Sequence, residues 1–461
     1  MLAACAALAG AARAAGPVAT TEGTLKDGTP YRFDMPERWN GAVLVGLDYA
    51  SAAPGPESLA LQAEGYATAG TTRTVTGWKL HQAAANAIET LDLFEARYGK
   101  AAMPIQFGQS QGGHVGAVSM QAYPKRWAGA MIRCGGLSGA VGQWQGKLDG
   151  LFIAKVLLAP ESGLPVTGIP DDWQTGAWPA WTAMLEAAEK TPAGRARIAL
   201  AARIAQLPEW SDPRKPEPAA GDDEARARGL ADSLVRGLLR QGMGSRHQLE
   251  RLSGGNVSAN TGVDYGALLA AADRDGLVRR MYRKAGLSLD QDLAALERAP
   301  RVRADPQALA YVATSVFDGD LAMPVLTMNA LGDAISVPAS QQEYQQAVQR
   351  AGKGAQLRQT YTHSAGHCAF TPAEVVAGVH ALVGRIRSGN WPDTSARGMT
   401  ALAGATGLGA SHFVDHAPAP FLRPYDACTL LGTLEAAGTA PFALPGQVLP
   451  RCMATQPIRT E

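Results

Sequence analysis

Short apolar runs alternate with amphipathic stretches in the early part of the chain; the alternation stops, and later it returns. "EGTLKDGTPYRFDMP" reads as a hairpin turning at Lys26-Asp27-Gly28. "GAVLVGLDY" (Gly41 to Tyr49) is an unbroken apolar run of strand length, the pattern of a strand buried on both faces. A helix near Pro56 to Glu64 and the strand "YATAGT" follow. From about His81 to Tyr98, the residues Ala84, Ile88, Leu91, Phe94 and Tyr98 recur at spacings of three and four, which predicts a helix with one apolar stripe. "PIQFGQ", "SQGGHVGAVSMQAYP" and "GAMIRCGG" then read as strand, helix and strand. Repeated strand–helix alternation implies right-handed crossovers and a parallel sheet.

From about Leu137 to Leu321 the pattern is mostly helical. "KLDGLFIAKVLL", "WTAMLEAAEK", "EARARGLADSLVRGLLR" and "DYGALLAAADRDGLVRRMYRKAG" each predict a helix, and "SDPRKPEPAAGDDE" reads as a mobile, charged linker. Alternation resumes with "MPVLTMNAL", "PASQQEYQQAVQRAG", "QLRQTYTH" and "TPAEVVAGVHALVGRIRSG". The expected organisation is a leader at 1–15, an α/β core in two parts (16–136 and 322–391), a helical cap at 137–321 between them, and a Gly/Ala/Pro-rich extension at 392–461.

Lys+Arg number 42 and Asp+Glu 41, a net charge of +1. That balance gives no electrostatic footprint for nucleic acid or anionic membranes, so a neutral small-molecule or polymeric substrate is the expected partner. The opening "MLAACAALAGAARAAG" is Ala-rich and free of acids, with Ala12-Arg13-Ala14 in the form of a cleavage site. It predicts a secreted or periplasmic protein. Leu2-Ala3-Ala4-Cys5 has the form of a lipoprotein box, but the apolar run continues past Cys5, which favours ordinary cleavage. No later run is long enough to span a membrane. Loss of Cys5 with the leader leaves Cys134, Cys368, Cys428 and Cys452, which allow three pairings. Cys428 and Cys452 could staple the tail, leaving Cys134 to Cys368; four free thiols are the alternative. Their spacing has no metal-site pattern, and no metal or organic cofactor is expected.

Gly108-Gln109-Ser110-Gln111-Gly112 is a Gly-x-Ser-x-Gly pentapeptide between a strand and a helix. In that setting a strained turn lifts the serine hydroxyl above the sheet edge, whereas the plainer reading is a helix-capping serine. A serine hydroxyl needs a base and a group that orients it. Asp333 follows "MPVLTMNAL" and His367 follows "RQTYTH", so the three stand at strand ends in the order Ser, Asp, His. His363 is the rival base but lies at the strand end itself, and His114, one helical turn beyond Ser110, suits packing better.

The elbow, "GDAISVP" and "GHCAFT" together resemble the α/β-hydrolase superfamily. More closely, "GYATAGTTRTVTGW", "GQSQGGHVG" and "RCGGLSGAVGQWQGKLDG" are similar to a group of secreted bacterial serine hydrolases and esterases with a helical cap. The resemblance runs from about Gly41 to Trp391 and is weakest in the insertion. It implies an α/β-hydrolase fold: a mostly parallel central sheet with a large helical cap inserted before the strand carrying the acid. It carries the triad onto Ser110, Asp333 and His367, and implies an oxyanion hole that uses the N–H of Gln111. Many relatives have His-Gly and then a second donor after the strand equivalent to "GAVLVGLDY"; Leu47-Asp48-Tyr49 stands there, which makes Tyr49 the candidate. In tannase-like relatives a cysteine adjoins the nucleophile, where this chain has Gln109; a Cys134–Cys368 bridge would pin the histidine loop instead.

Trp144, Trp173, Trp178, Trp181 and Trp210 in the insertion, with Trp78, are candidates either for stacking on a substrate or for core. The expected activity is hydrolysis of carboxylic esters, aromatic esters and polyesters included, through an acyl-enzyme. The alternatives are a peptidase or amidase, in which Asp171, Asp172, Asp222, Asp223 and Glu224 would hold a substrate amine, and a non-catalytic binding protein of the same shape.

Overall fold

The computed structural model describes residues 18–460; the expected leader and Cys5 lie outside the described residues. The strands are β1 (Val18–Thr24), β2 (Pro30–Pro36), β3 (Ala42–Leu47), β4 (Ala67–Thr71), β5 (Met103–Gln109), β6 (Gly129–Arg133), β7 (Val325–Gly332), β8 (Leu357–Ala365) and β9 (Phe413–Val414). They form one sheet in the order β1-β2-β4-β3-β5-β6-β7-β8-β9. From β4 to β8 every pairing is parallel; β1, β2 and the short β9 are antiparallel additions at the edges.

The unbroken apolar runs arise because both faces of this sheet are covered. Side chains alternate across a strand. Val43, Val45 and Ile132 therefore face one core, shared with α2 (Leu80–Tyr98) and α3 (Gln111–Ala122), while Leu44, Ile105 and Met131 face the other. That second core is closed by α1 (Pro56–Ala63) and by the later helix α14 (Pro372–Ser388). Each fully buried side chain of this kind contributes about 1.5–3 kcal/mol.

Between β6 and β7 the chain runs through α4 (Gly139–Leu158), α5 (Ala177–Glu189), α6 (Pro192–Ile204), α7 (Asp223–Ser233), α8 (Arg246–Ser253), α9 (Tyr265–Ala272), α10 (Leu277–Ala285), α11 (Leu289–Arg298) and α12 (Pro306–Tyr311). These helices bury a core of their own, with Leu148, Leu200, Leu230, Leu238, Tyr282 and Leu296 among its members. "DYGALLAAADRDGLVRRMYRKAG", predicted as one helix, is two. Asp273 accepts a hydrogen bond from the N–H of Val278 at 3.0 Å, and Gly276 takes φ +72° before α10. "EARARGLADSLVRGLLR" runs longer than expected, through π-helical turns at Leu234–Leu239 and Gln241–Ser245 into α8.

The segment expected to be a mobile linker is pinned by ion pairs and a hydrogen bond. Asp212 meets Arg214 and Arg236, Lys215 meets Asp232, and Glu217 meets His363. After β7 come α13 (Ala339–Arg350), β8 and α14. The low-periodicity tail folds into α15 (Ala396–Thr406), β9 and α16 (Ala427–Ala436). Its Arg423 forms an ion pair with the fully buried Asp149 of α4, and Cys428 is bonded to Cys452.

Candidate functional site

Ser110 joins β5 to α3 with φ 57° and ψ −123°, a conformation that costs a non-glycine residue energy and turns its side chain out of the strand. The turn is held by the N–H of Ser110, which donates to the carbonyl of Arg133 at 3.0 Å, and by the N–H of His114, which donates to the carbonyl of Ser110 at 3.1 Å. The two glycines of the pentapeptide are steric requirements. A Cβ on Gly108 would sit 2.2 Å from the carbonyl oxygen of Gly112, and one on Gly112 would lie 3.2 Å from Cβ of Leu47.

His367 follows β8, on a loop bent by Gly366 (φ +103°) and by Cys368 (φ 56°). Its Nε2 lies 2.7 Å from Oγ of Ser110, and its Nδ1 lies 2.8 Å from Oδ2 of Asp333. Asp333 is fully buried at the end of β7. Its Oδ1 accepts from the N–H groups of Ile335 (2.8 Å) and Ser336 (2.9 Å). A carboxylate held this way fixes the proton of His367 on Nδ1, leaving Nε2 to accept from the serine hydroxyl. The structure thus brings together three residues that are more than two hundred positions apart at the extremes.

Gln111 and Tyr49 are the first residues of α3 and of a single 3₁₀ turn, Tyr49–Ser51, so neither N–H has a partner within its own helix. The contact between Leu47 and Gly112 sets the loop after β3 beside the elbow. The Tyr49 hydroxyl anchors that loop by donating to Asp34 at 2.5 Å. A residue that sequence reasoning missed ties the two sides together. Arg73 donates from Nε to Asp48 at 2.8 Å and from Nη1 to Oε1 of Gln111 at 2.6 Å, and the Gln111 amide also donates to the carbonyl of Gly77. Arg73 lies in "GTTRTVTGW", but nothing in that run marks one arginine as a tie between two distant loops.

Lys147 of α4 was missed as well. It is buried near Asp333 and donates to the carbonyl of Ile335 at 3.2 Å; burial pulls its ammonium group down to about 8. His114 is buried between Gln143 and the carbonyl of Ser315, a packing role, with burial pulling its imidazole down to about 4. His363 meets Glu217 and the edge of Trp210 rather than Ser110. Trp144 and Trp181 are core residues, and Trp78 packs edge-on against Trp144. Four of the five acidic residues proposed to hold an amine are engaged among the inserted helices: Asp171 with His247 and Arg251, Asp223 with Arg280, and Glu224 with Arg195 and Lys284, while Asp222 caps α7.

Cys134 and Cys368 are joined, with Cα atoms 5.4 Å apart, so the sulfurs beside Asp333 and His367 offer no thiolates to a metal.

The strand order, the strained strand-to-helix elbow and the inserted helices define a hydrolase of the α/β-hydrolase fold. The chain is 31% identical over 426 residues to the o-phthalyl amidase of Xanthobacter agilis, spanning 85% of this chain and 93% of that one. It belongs to the family of that amidase. No family model matches it. Among solved structures it is similar to an esterase from Aspergillus oryzae (14% identity, 82% of this chain and 81% of that chain, TM-score 0.40). Another is the rice cell wall degrading esterase LipA from Xanthomonas oryzae (14% identity, 80% and 90%, TM-score 0.37).

Proposed function

We propose that the chain is an exported serine hydrolase that cleaves carboxylic acid derivatives through an acyl-enzyme, with Ser110 as nucleophile, His367 as base and Asp333 as orienting acid. The carrying observation is the continuous chain of contacts from Oγ of Ser110 through the His367 ring to Asp333, at 2.7 and 2.8 Å. Ser110 attacks the carbonyl carbon as its proton passes to Nε2 of His367. The oxyanion lies against the N–H groups of Gln111 and Tyr49, which the positive end of α3 reinforces. His367 then protonates the leaving group, and a water deprotonated by the same ring releases the acid.

Esters are the first substrate class. Amides are the second, favoured by the relative at 31% identity, which is named an o-phthalyl amidase. The two disulfides support an oxidising compartment, and no helix among the described residues is long and apolar enough to cross a membrane.

The test pairs a short p-nitrophenyl ester and an o-phthalyl amide with Ser110→Ala. The parent enzyme is expected to turn over at least one of them and to take up a fluorophosphonate label on Ser110. The variant is expected to lose about 10⁴-fold or more in kcat and all labelling. Full activity in the variant overturns the assignment. An unlabelled, inactive parent enzyme favours the binding-protein alternative.

A further inference from the structure

Lys147 lies in the middle of α4 and is 8% exposed. Its Nζ donates to the carbonyl oxygen of Ile335 at 3.2 Å and lies 5.4 Å from the centroid of the Trp144 ring. Among the described residues no carboxylate forms an ion pair with it, and no acid lines the cavity of about 20 Å³ that it shares with Ser138, Ser340 and Phe421. The charges packed nearby are otherwise matched or absent. Arg246 of α8, over the same Trp144 ring, faces Glu250 at 3.5 Å, and burial keeps His114 of α3 neutral. Asp333 is the carboxylate whose field favours the ammonium form of Lys147.

The two are joined by one peptide group. The carbonyl of Ile335 and the N–H of Ser336 share a single planar unit. That N–H donates to Oδ1 of Asp333 at 2.9 Å, and the N–H of Ile335 reaches the same oxygen at 2.8 Å. A cation on the carbonyl oxygen polarises the amide and strengthens its N–H as a donor. The carboxylate at the far end is fully buried and faces Nδ1 of His367 with both oxygens, at 3.0 and 2.8 Å. An apolar side chain of the same length would fill this part of α4 without the penalty of burying a charge. What it would lack is the pull on Asp333.

Resting on the serine-hydrolase reading above, we propose that Lys147 is a positioning residue for the triad: its ammonium group, acting through the Ile335–Ser336 peptide, holds the Asp333 carboxylate ionised and turned toward His367. Because α4 is the first of the inserted helices, the insertion then helps to set the acid from behind.

Lys147→Met keeps the length of the side chain and removes both charge and donor, and Lys147→Gln keeps a neutral donor. On a short p-nitrophenyl ester, Lys147→Met is expected to lower kcat by about 10–100-fold and to leave KM within about twofold, with a smaller loss in Lys147→Gln. A kcat within about twofold of the parent enzyme, or a loss carried by KM alone, overturns the proposal. The low-field proton resonance of the His367 Nδ1–H reads the bond to Asp333 directly. It is expected to move to higher field in Lys147→Met and part of the way in Lys147→Gln; an unmoved resonance overturns the proposal. The parent enzyme decides if Lys147→Met does not fold. Burial brings the Lys147 ammonium group down to about 8, so the resonance should shift as the pH rises past that value. Lys147→Arg stays charged throughout and should show no such step. A parent resonance that stays fixed, or a step kept in Lys147→Arg, overturns the proposal. Since the resonance needs no turnover, it decides the role of Lys147 even if no ester is hydrolysed and the serine-hydrolase reading fails.

Discussion

Sγ of Cys368 lies 3.4 Å from Nε2 of the neighbouring His367, and the bond from Cys368 to Cys134 fastens the histidine loop to the end of β6. The loop that carries His367 is thus crosslinked to the strand that hydrogen-bonds the turn at Ser110.

That crosslink should act on catalysis as well as on stability. Replacing both Cys134 and Cys368 with Ser is expected to lower kcat by about a hundredfold, since a displacement near 1 Å is enough to do so, and to cost about 2–5 kcal/mol of stability. The same double replacement at Cys428 and Cys452 should lower the melting temperature and leave kcat within about twofold, because that bridge lies wholly within the tail. Steady-state kinetics and thermal melts on the two variants check this; equal kinetic effects would refute it.

Arg73 should behave as a positioning residue. Arg73→Leu removes its bonds to Asp48 and Gln111 at once. The expected result is a fall in kcat of about 10–100-fold with KM little changed, because in the proposed mechanism the N–H groups it sets act on the developing oxyanion. Arg73→Lys, which keeps charge but not the fork, should recover only part of the loss. A pure KM effect would place Arg73 in substrate binding instead.

The inserted helices press on the turn that carries Asp333. A Cβ on Gly237, in the first π-helical turn, would sit 2.3 Å from the carbonyl oxygen of Ala334, next to Asp333. Gly237→Ala is therefore expected to displace the Asp333 turn and cost about 1–3 kcal/mol, with a larger fractional loss of kcat than Gly221→Ala, whose Cβ would meet nothing within 4 Å. Melting curves and kcat for the two variants separate them.

Acid should weaken the fold through two buried imidazoles. Burial holds His81 and His114 at about 4, against 6.5 for a free histidine. Between those values the unfolded chain binds protons that the folded chain excludes, so stability is fully present above pH 6.5 and falls as pH drops toward 4. Each group contributes up to about 3 kcal/mol of that loss. His114→Gln should flatten the decline in melting temperature between pH 6.5 and 4, and an unchanged slope would refute the assignment.

Much of the fold and of the candidate site was legible because it is local. The apolar runs of β3, β5 and β6 record burial on both faces, and Gly108 and Gly112 record the close approaches of the elbow. Asp333 and His367 could be picked out because each follows a recognisable strand. The tail was not legible. The helices α15 and α16 and the strand β9 are short, and they are stabilised by docking on α14, α12 and β8 rather than by a pattern of their own. The split between α9 and α10 was hidden because helix-favouring residues flank the break at Asp273 and Gly276 on both sides.

By itself, then, the sequence determined which residues are nucleophile, base and acid candidates, since strand periodicity and glycine spacing are written along the chain. Tertiary structure alone decided the rest. It set Arg73 between Asp48 and Gln111, laid Gly237 against Ala334, and put the buried Lys147 on the peptide group that binds Asp333. These relationships join segments far apart in the chain, and whether a buried charge has a partner is a property of the packed space around it, which no local pattern encodes.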